Sequence, residues 1–165
     1  MEDWSPFYNP PYDSPIEDIL AYHIVKYLDQ RVSFIPQVEV KTICGIFRVD
    51  FMVYGVNGEK IGFECDGKEF HEEGHDEWRD AMILGADKAD TMYRLRGSDI
   101  TYHINDVLYA LSQWSPTIFS QRGYINLGLL ASDKARTHVF KPTDEHGFIA
   151  EKVWIWRSHK YIHGD

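Results

Sequence analysis

Three acidic residues on two neighbouring predicted strands have the types and spacing expected of a metal site. Asp50 lies in the first of two β-like runs, residues 46–53, and Glu64 and Asp66 lie in the second, residues 60–66. A short segment with two glycines separates the runs, and such a segment between alternating apolar residues predicts a β-hairpin. Side chains alternate between the two faces of a strand, so the hairpin can place all three acids on one face.

The pairing register follows from the hydrophobic pattern. A hairpin centred on Asn57 sets Asp50 opposite Glu64 and Arg48 opposite Asp66 on one face. Directly opposed side chains lie roughly 5 Å apart at Cβ, and two like charges at that distance are destabilising unless a cation joins them. The same register gives apolar pairs on the buried face: Phe51 with Phe63, Val53 with Ile61, and Val49 with Cys65.

We therefore expect a divalent cation between the carboxylates. Asp50 and Glu64 supply hard oxygen ligands, and the backbone carbonyl of Cys65 could supply a third. Mg²⁺ is the natural occupant, with Mn²⁺ as a substitute. Such an ion activates water and neutralises charge on a phosphate, so the site suits phosphodiester hydrolysis. The alternative is that the acids form the solvated face of an amphipathic hairpin.

Two further side chains could take part in catalysis. His71 follows the hairpin and could act as a general base or orient water, although an ordinary surface histidine is the competing interpretation. Glu17 fits the reciprocal position of a capping box that Ser14 opens, and a helix start packed on the hairpin could also aim its carboxylate at the metal.

The segment from His71 to His75 also matches the HExxH pattern of zinc proteases, with Glu72 as the general base. That motif requires a helix that places both histidines on one face. Gly74 disfavours a helix by roughly 1 kcal/mol, and the flanking residues are acidic rather than apolar. A zinc protease is thus a minor alternative.

Cations and aromatic residues further along the chain are candidate nucleic-acid contacts. Arg94, Arg96 and Lys68 could contact phosphates, although a salt bridge at the edge of the site explains Arg94 equally well. Trp154 and Trp156 alternate with apolar residues on a late strand and share one face. Such a pair suits base stacking, core packing or the interface of a homodimer.

Composition narrows the class of protein. The chain has 165 residues, 44% of them apolar, which suits one globular domain with a sizeable core. A formal net charge of −9 argues against a basic nucleic-acid coat protein and against a lipid-surface binder. Two cysteines, Cys44 and Cys65, are expected as buried small hydrophobes in a reducing compartment. No signal peptide or membrane span is evident, so the cytoplasm is the expected location.

The predicted elements follow the order α-β-β-β-α-β-α. They are a helix from Ser14 to about Gln30, strands at 34–43, 46–53 and 60–66, a helix at 76–88, a strand at 91–96, and a helix capped by Ser98 that ends before Pro116. A helix between the third and fourth strands implies a crossover, so we expect an α/β fold with a mixed sheet flanked by helices.

We divide the chain into an N-terminal arm, a core and an extension of the same domain. The arm is 1–13, the core 14–116, and the extension 117–165. Short runs at 124–130 and 152–157 predict that the extension is rich in β-structure.

The order and spacing of these motifs resemble the very-short-patch-repair-like branch of the PD-(D/E)XK nucleases. The resemblance covers about residues 14–112, and the residues that carry it include Glu17, Gln37, Asp50, the segment 63–67 and His71, followed by Arg79-Asp80 and Tyr93-Arg94. It implies the restriction-endonuclease-like fold, with Asp50 and Glu64 as the Mg²⁺ ligands. Asp66 stands where other members of the superfamily carry a lysine.

The same resemblance implies roles for the remaining residues and a reaction. His71 would act near the scissile phosphate, and Glu17 would be the acid of the N-terminal helix. The implied activity is a metal-dependent DNA endonuclease that leaves a 5′-phosphate, by nicking or double-strand cutting. The alternative is a catalytically inactive module that uses the same fold to bind nucleic acid or a protein partner.

Overall fold

The computed structural model describes residues 8–67 and 73–160, with the backbone alone described for 73–77. The helices are α1 (Pro15–Ile24), α2 (Glu73–Gly85), α3 (Gly97–Tyr102), α4 (Ile104–Trp114), α5 (Gln121–Leu130) and α6 (Asp133–Thr137), with a 3₁₀ turn at Pro116–Ile118. The strands are β1 (Ser33–Thr42), β2 (Gly45–Tyr54), β3 (Lys60–Asp66), β4 (Thr91–Arg96), β5 (His146–Ile149) and β6 (Val153–His159).

The strands form one open six-stranded sheet in the order β1-β2-β3-β4-β6-β5. β3 and β4 run parallel, and every other neighbouring pair is antiparallel. A parallel pair requires a crossover connection, and α2 lies in that connection. The predicted α/β class with a mixed sheet flanked by helices is therefore confirmed.

Helices cover both faces of the sheet. On one face the larger core cluster takes Leu20 from α1, Leu108 from α4 and Leu127 from α5. On the other face a smaller cluster joins Ile83 of α2 to Met92 of β4. Within the described ranges, none of the helices combines the length and apolar character needed to cross a lipid bilayer.

The hairpin of β2 and β3 has the predicted register. Phe51 pairs with Phe63 and Val53 pairs with Ile61, and all four side chains belong to the larger cluster. The predicted third apolar pair is wrong, because Val49 packs in the smaller cluster on the opposite face.

Strand β1 also changes the face on which its apolar side chains are buried, and it does so beside the corresponding change in β2. Phe34 belongs to the larger cluster, whereas Val40 belongs to the smaller cluster although the two residues have the same parity along β1. Gln37 lies between them with a φ of 52°, a left-handed conformation that interrupts regular β-structure. Side-chain alternation counted from Phe34 therefore predicts the buried face correctly as far as Gln37 and incorrectly beyond it.

The boundaries of three predicted helices require correction. The helix predicted at 76–88 is α2, which covers Glu73–Gly85. α1 ends at Ile24, because the following turn bonds to another segment: the Asp29 amide donates to the Ile118 carbonyl and the Tyr27 carbonyl accepts from the Ser120 amide. The helix expected to begin at Ser98 begins at Gly97, with Arg96 as its N-cap, and His103 separates it from α4.

The C-terminal extension is less rich in β-structure than predicted. The run 124–130 lies in helix α5, so the predicted strand there is wrong. Ser120 caps this helix by accepting from the Gly123 amide, and the buried residues Gly123 and Leu127 lie one turn apart on its inner face. Tertiary packing and the cap outweigh the strand preference of the side chains. β6, in contrast, is close to the predicted run at 152–157.

Close approach of α5 to the turn after α1 explains why residue 123 is glycine. A Cβ at Gly123 would lie 2.3 Å from the Tyr27 carbonyl oxygen. Gly123→Ala is therefore expected to lower the free energy of unfolding by about 2 kcal/mol, measured by urea denaturation. Gly128→Ala is the matched control in the same helix, because nothing lies within 4 Å of its added Cβ. Equal stability of the two variants would contradict this packing.

Candidate active site

Strand β2 separates from β3 at the position of Asp50. Their pairing extends from Tyr54 and Lys60 as far as Phe51 and Phe63. β3 continues to pair with β4 as far as Asp66. The divergence leaves β3 backbone groups beside Glu64 without a β2 partner, and this opening is where the acidic residues meet.

Asp50 occupies the opening with its side chain. Its Oδ2 accepts a hydrogen bond of 2.8 Å from the Cys65 amide, so a carboxylate replaces the missing strand partner. The Asp50 and Glu64 carboxyl groups lie close enough to interact, and the charge of Asp50 helps to raise the pKa of Glu64. The structure therefore brings together the two carboxyl groups expected to share a cation.

Glu64 is the most strongly perturbed acid at this site. Its side chain is buried, with 6% of the residue exposed. Burial, and secondarily the charge of Asp50, raise the pKa of Glu64 to about 8, against the lowering influence of Arg79 and Arg94. Its Oε1 is buried and has no hydrogen bond from the described residues. An isolated carboxyl in this position keeps its proton at neutral pH unless a cation compensates its charge.

Arg79 of α2 supplies part of that compensation. Its Nη2 lies 2.8 Å from Glu64 Oε1, an ion pair that lacks hydrogen-bond geometry. The same nitrogen donates to the carbonyl of Arg48, which anchors α2 to β2. Arg79 therefore pairs with an acid of the candidate site.

Glu17 approaches the pair from the other side of the opening. Ser14 Oγ donates to Glu17 Oε2 at 2.6 Å, and Gln37 Nε2 donates to Glu17 Oε1 at 2.7 Å. The Ser14 hydroxyl also accepts from the Glu17 amide, so the helix cap is formed. Burial, with a further contribution from the charge of Asp50, raises the pKa of Glu17. Its carboxyl group therefore points inward and is coupled to the candidate site.

Gln37 is a positioning residue to which the sequence assigned no role. Besides holding Glu17, its Oε1 accepts from Arg48 Nε at 2.7 Å. Its left-handed backbone, with φ of 52°, directs the amide between those two side chains. In the sequence, Gln37 is marked by its place in the family resemblance and as a polar residue after Pro36 inside an otherwise β-like run.

Asp66 and Arg48 are not brought together. Because β2 leaves β3 before this level, Arg48 instead donates to Gln37 and lies 3.7 Å from Asp13. The predicted opposition of Arg48 and Asp66 is therefore wrong. Asp66 lies at the end of β3, paired in register with Arg96 of β4.

The two cysteines differ in their burial. Cys65 is partly buried, and burial raises the pKa of its thiol well above the usual value. Its amide contacts Asp50, while the proposed ligand role of its carbonyl stays a prediction. Cys44 is exposed in the turn between β1 and β2, so its predicted burial is wrong.

Two of the three candidate phosphate contacts, Arg94 and Arg96, pair with acids. Arg94 is buried, and its Nη2 donates to both carboxylate oxygens of Asp80 at 3.0 and 3.1 Å. Arg96 donates through Nε to Asp99 at 2.7 Å. This geometry favours the salt-bridge interpretation of Arg94.

Three predicted site residues lie outside the described residues: Lys68, His71 and Glu72. Their roles stay predictions. His75 lies in α2, for which the backbone alone is described at this position.

The donor set suits a hydrated divalent cation. Asp50 and Glu64 provide two carboxylates in contact, one of them with a buried oxygen that no described donor satisfies. Hard oxygen ligands of this kind suit Mg²⁺, which usually keeps several waters and needs one or two carboxylates. No group of three or more His, Cys, Asp or Glu side chains suited to a metal occurs within 8–67 and 78–160. The residues present therefore fit a hydrated Mg²⁺ and do not form an all-protein cage.

Comparisons with protein-family models, with curated proteins and with solved structures found no match to this chain.

Proposed function

We propose that this protein is a metal-dependent DNA endonuclease with a restriction-endonuclease-like core. The observation that carries the proposal is the contact between the Asp50 and Glu64 carboxyl groups where β2 diverges from β3. Mixed topology, with a helix crossing over between β3 and β4, agrees with the fold that the sequence resemblance implies.

In this proposal each acid has a distinct task. Asp50 and Glu64 hold the cation, Asp66 orients water at the end of β3, and Glu17 adjusts the charge of the pair. When bound, a divalent ion activates water and neutralises charge on the phosphate. The water oxygen would form a bond to phosphorus while the bond to the 3′ oxygen breaks. The 3′ oxygen would take a proton from solvent water, which leaves a 5′-phosphate and a 3′-hydroxyl. His71 takes the proton released by the water.

One observation favours the second candidate, a non-catalytic binding module. Arg79 already contacts the buried oxygen of Glu64, and a guanidinium can replace a metal ion as the partner of a carboxylate. If this pair is permanent, the fold retains the acids for stability and not for chemistry.

Nicking of supercoiled plasmid separates the two candidates. We expect the wild-type protein to convert supercoiled DNA into open-circular or linear forms with Mg²⁺ or Mn²⁺, and to lose this activity in EDTA. Ligation of the product without prior phosphorylation would demonstrate the 5′-phosphate. DNA binding without cleavage across both metals and several substrates would contradict the nuclease and favour the module.

A further inference from the structure

Four aromatic side chains form a continuous surface on the β5–β6 hairpin. This aromatic platform consists of His146, Phe148, Trp154 and Trp156. Ring centroids lie 5.0 Å apart for His146 and Trp154, 4.4 Å for Phe148 and Trp154, and 5.3 Å for the two tryptophans. Phe148 is 53% exposed and His146 is also exposed. The platform therefore reaches solvent at the edge of the sheet and is not closed within the core.

The platform shares a sheet face with the candidate active site. The intervening residues Val153 and Ile155 belong to the larger core cluster, so Trp154 and Trp156 point to the opposite face. That face also carries the Arg94 side chain, which pairs with Asp80 of α2.

Strand pairing gives the distance between the platform and the acids. One row across the face runs from Glu64 through Arg94 and Trp156 to His146. With neighbouring strands ~4.8 Å apart, Trp156 lies about 10 Å from Glu64 along the sheet. The buried Arg94–Asp80 pair lies between Trp156 and Glu64 in this row, so the platform and the acids are separated by one or two nucleotide lengths across a part of the face that α2 covers.

Cations border the platform. The Arg96 guanidinium carbon lies 5.9 Å from the centre of the Phe148 ring, although Nε and Nη2 of this guanidinium also donate to Asp99. Lys152, exposed in the turn between β5 and β6, is next in the chain to the strand that carries both tryptophans. Aromatic faces with adjoining cations are the combination that single-stranded nucleic acids require, since bases stack and phosphates need positive charge.

We propose that the aromatic platform stacks unpaired bases of single-stranded DNA next to the site of cleavage. This inference rests on the proposed nuclease for the position of the cut. The occupant is single-stranded because stacking requires a free base face, which a base inside an intact duplex does not offer. The substrate class is therefore a strand with unpaired nucleotides, such as a gap, flap or loop, and not an intact duplex.

Binding is tested without cleavage, by fluorescence anisotropy of fluorescein-labelled (dT)₂₀ and of a blunt duplex with the full chain in EDTA. We expect tighter binding to (dT)₂₀, and a loss between about 5-fold and about 100-fold in that affinity for Phe148→Ala. Phe148→Leu keeps the apolar volume but has no ring, so it should lose similar affinity, whereas Phe148→Trp should retain it. Ile125→Ala removes an equally exposed residue, 54% exposed, on α5 and should bind as wild type.

Several results would overturn the stacking role. The first is equal binding of duplex and single strand, and the second is wild-type affinity of the Phe148→Leu variant. The third is self-association in sedimentation that Phe148→Ala abolishes, which would assign the platform to a second copy of this chain. Plasmid nicking separates this inference from the proposed function. If wild type nicks plasmid but the Phe148 variants bind (dT)₂₀ as wild type does, the nuclease proposal is supported and the stacking role is contradicted. If binding depends on the ring but no nicking occurs, the stacking surface is supported and the nuclease proposal is contradicted.

Discussion

Asp50→Asn and Glu64→Gln are each expected to reduce Mg²⁺-dependent plasmid nicking by ~10³-fold or more, because each removes a charged ligand from a two-carboxylate site. The asparagine oxygen can still accept the hydrogen bond from the Cys65 amide, which Asp50 accepts at 2.8 Å in the native protein. The backbone arrangement should therefore survive while the charge is lost.

Glu151→Gln is the matched control for charge. This side chain is 82% exposed and pairs with Lys134 at the surface, so its replacement should leave nicking within about twofold of wild type. Circular dichroism and thermal unfolding would establish that all three variants are folded. Full activity in both Asp50→Asn and Glu64→Gln would remove these residues from the mechanism.

The second expected result is an unusual loss of stability as pH rises, caused by Glu64. The folded chain holds the Glu64 proton up to a pKa of about 8, whereas an unperturbed glutamate has a pKa of 4.5. The stabilising contribution is thus complete below pH 4.5 and is lost as pH rises through about 8. Between those values each pH unit should remove up to ~1.4 kcal/mol from the free energy of unfolding.

Urea denaturation between pH 5 and pH 9, in EDTA, measures this dependence. Glu64→Gln cannot ionise, so the difference in slope between this variant and wild type isolates Glu64 from Glu17, whose pKa is also raised. Parallel pH profiles for wild type and Glu64→Gln would contradict the buried, proton-retaining state of this carboxyl group.

A bound cation should reverse the loss of folding stability at high pH. Protons and Mg²⁺ compete for the carboxyl pair, so Mg²⁺ should raise the unfolding temperature of wild type more at pH 9 than at pH 6. At a Mg²⁺ concentration of 100 times Kd the gain is about 2.7 kcal/mol. No gain at either pH would argue against the metal site while leaving the proton linkage intact.

The candidate site could be predicted largely from local pattern. The two-residue spacing of Phe51 and Val53, matched by apolar residues at the same spacing in β3, together with a turn of defined length, determines the register in which Asp50 lies next to Glu64. Ser14 and Pro15 determine the start of α1, and therefore the position of Glu17 on its first turn. These signals extend over a few residues, which is why they could be recognised without the fold.

Long-range packing decided the remaining features. The tendency of 124–130 toward β-structure yields to a helix whose Gly123 lies against Tyr27, nearly a hundred residues earlier in the chain. Arg79 contacts Glu64 because α2 packs against the sheet on that side.

The sequence by itself thus determined the mixed α/β class, the hairpin register and the pairing of two acids, because period, turn length and capping are local. Only the tertiary structure decided that β2 diverges at Asp50, that Arg79 reaches Glu64, and that β6 pairs with β4. The physical reason is that each depends on burial and on backbone hydrogen bonds between segments far apart in the chain, which no local pattern encodes.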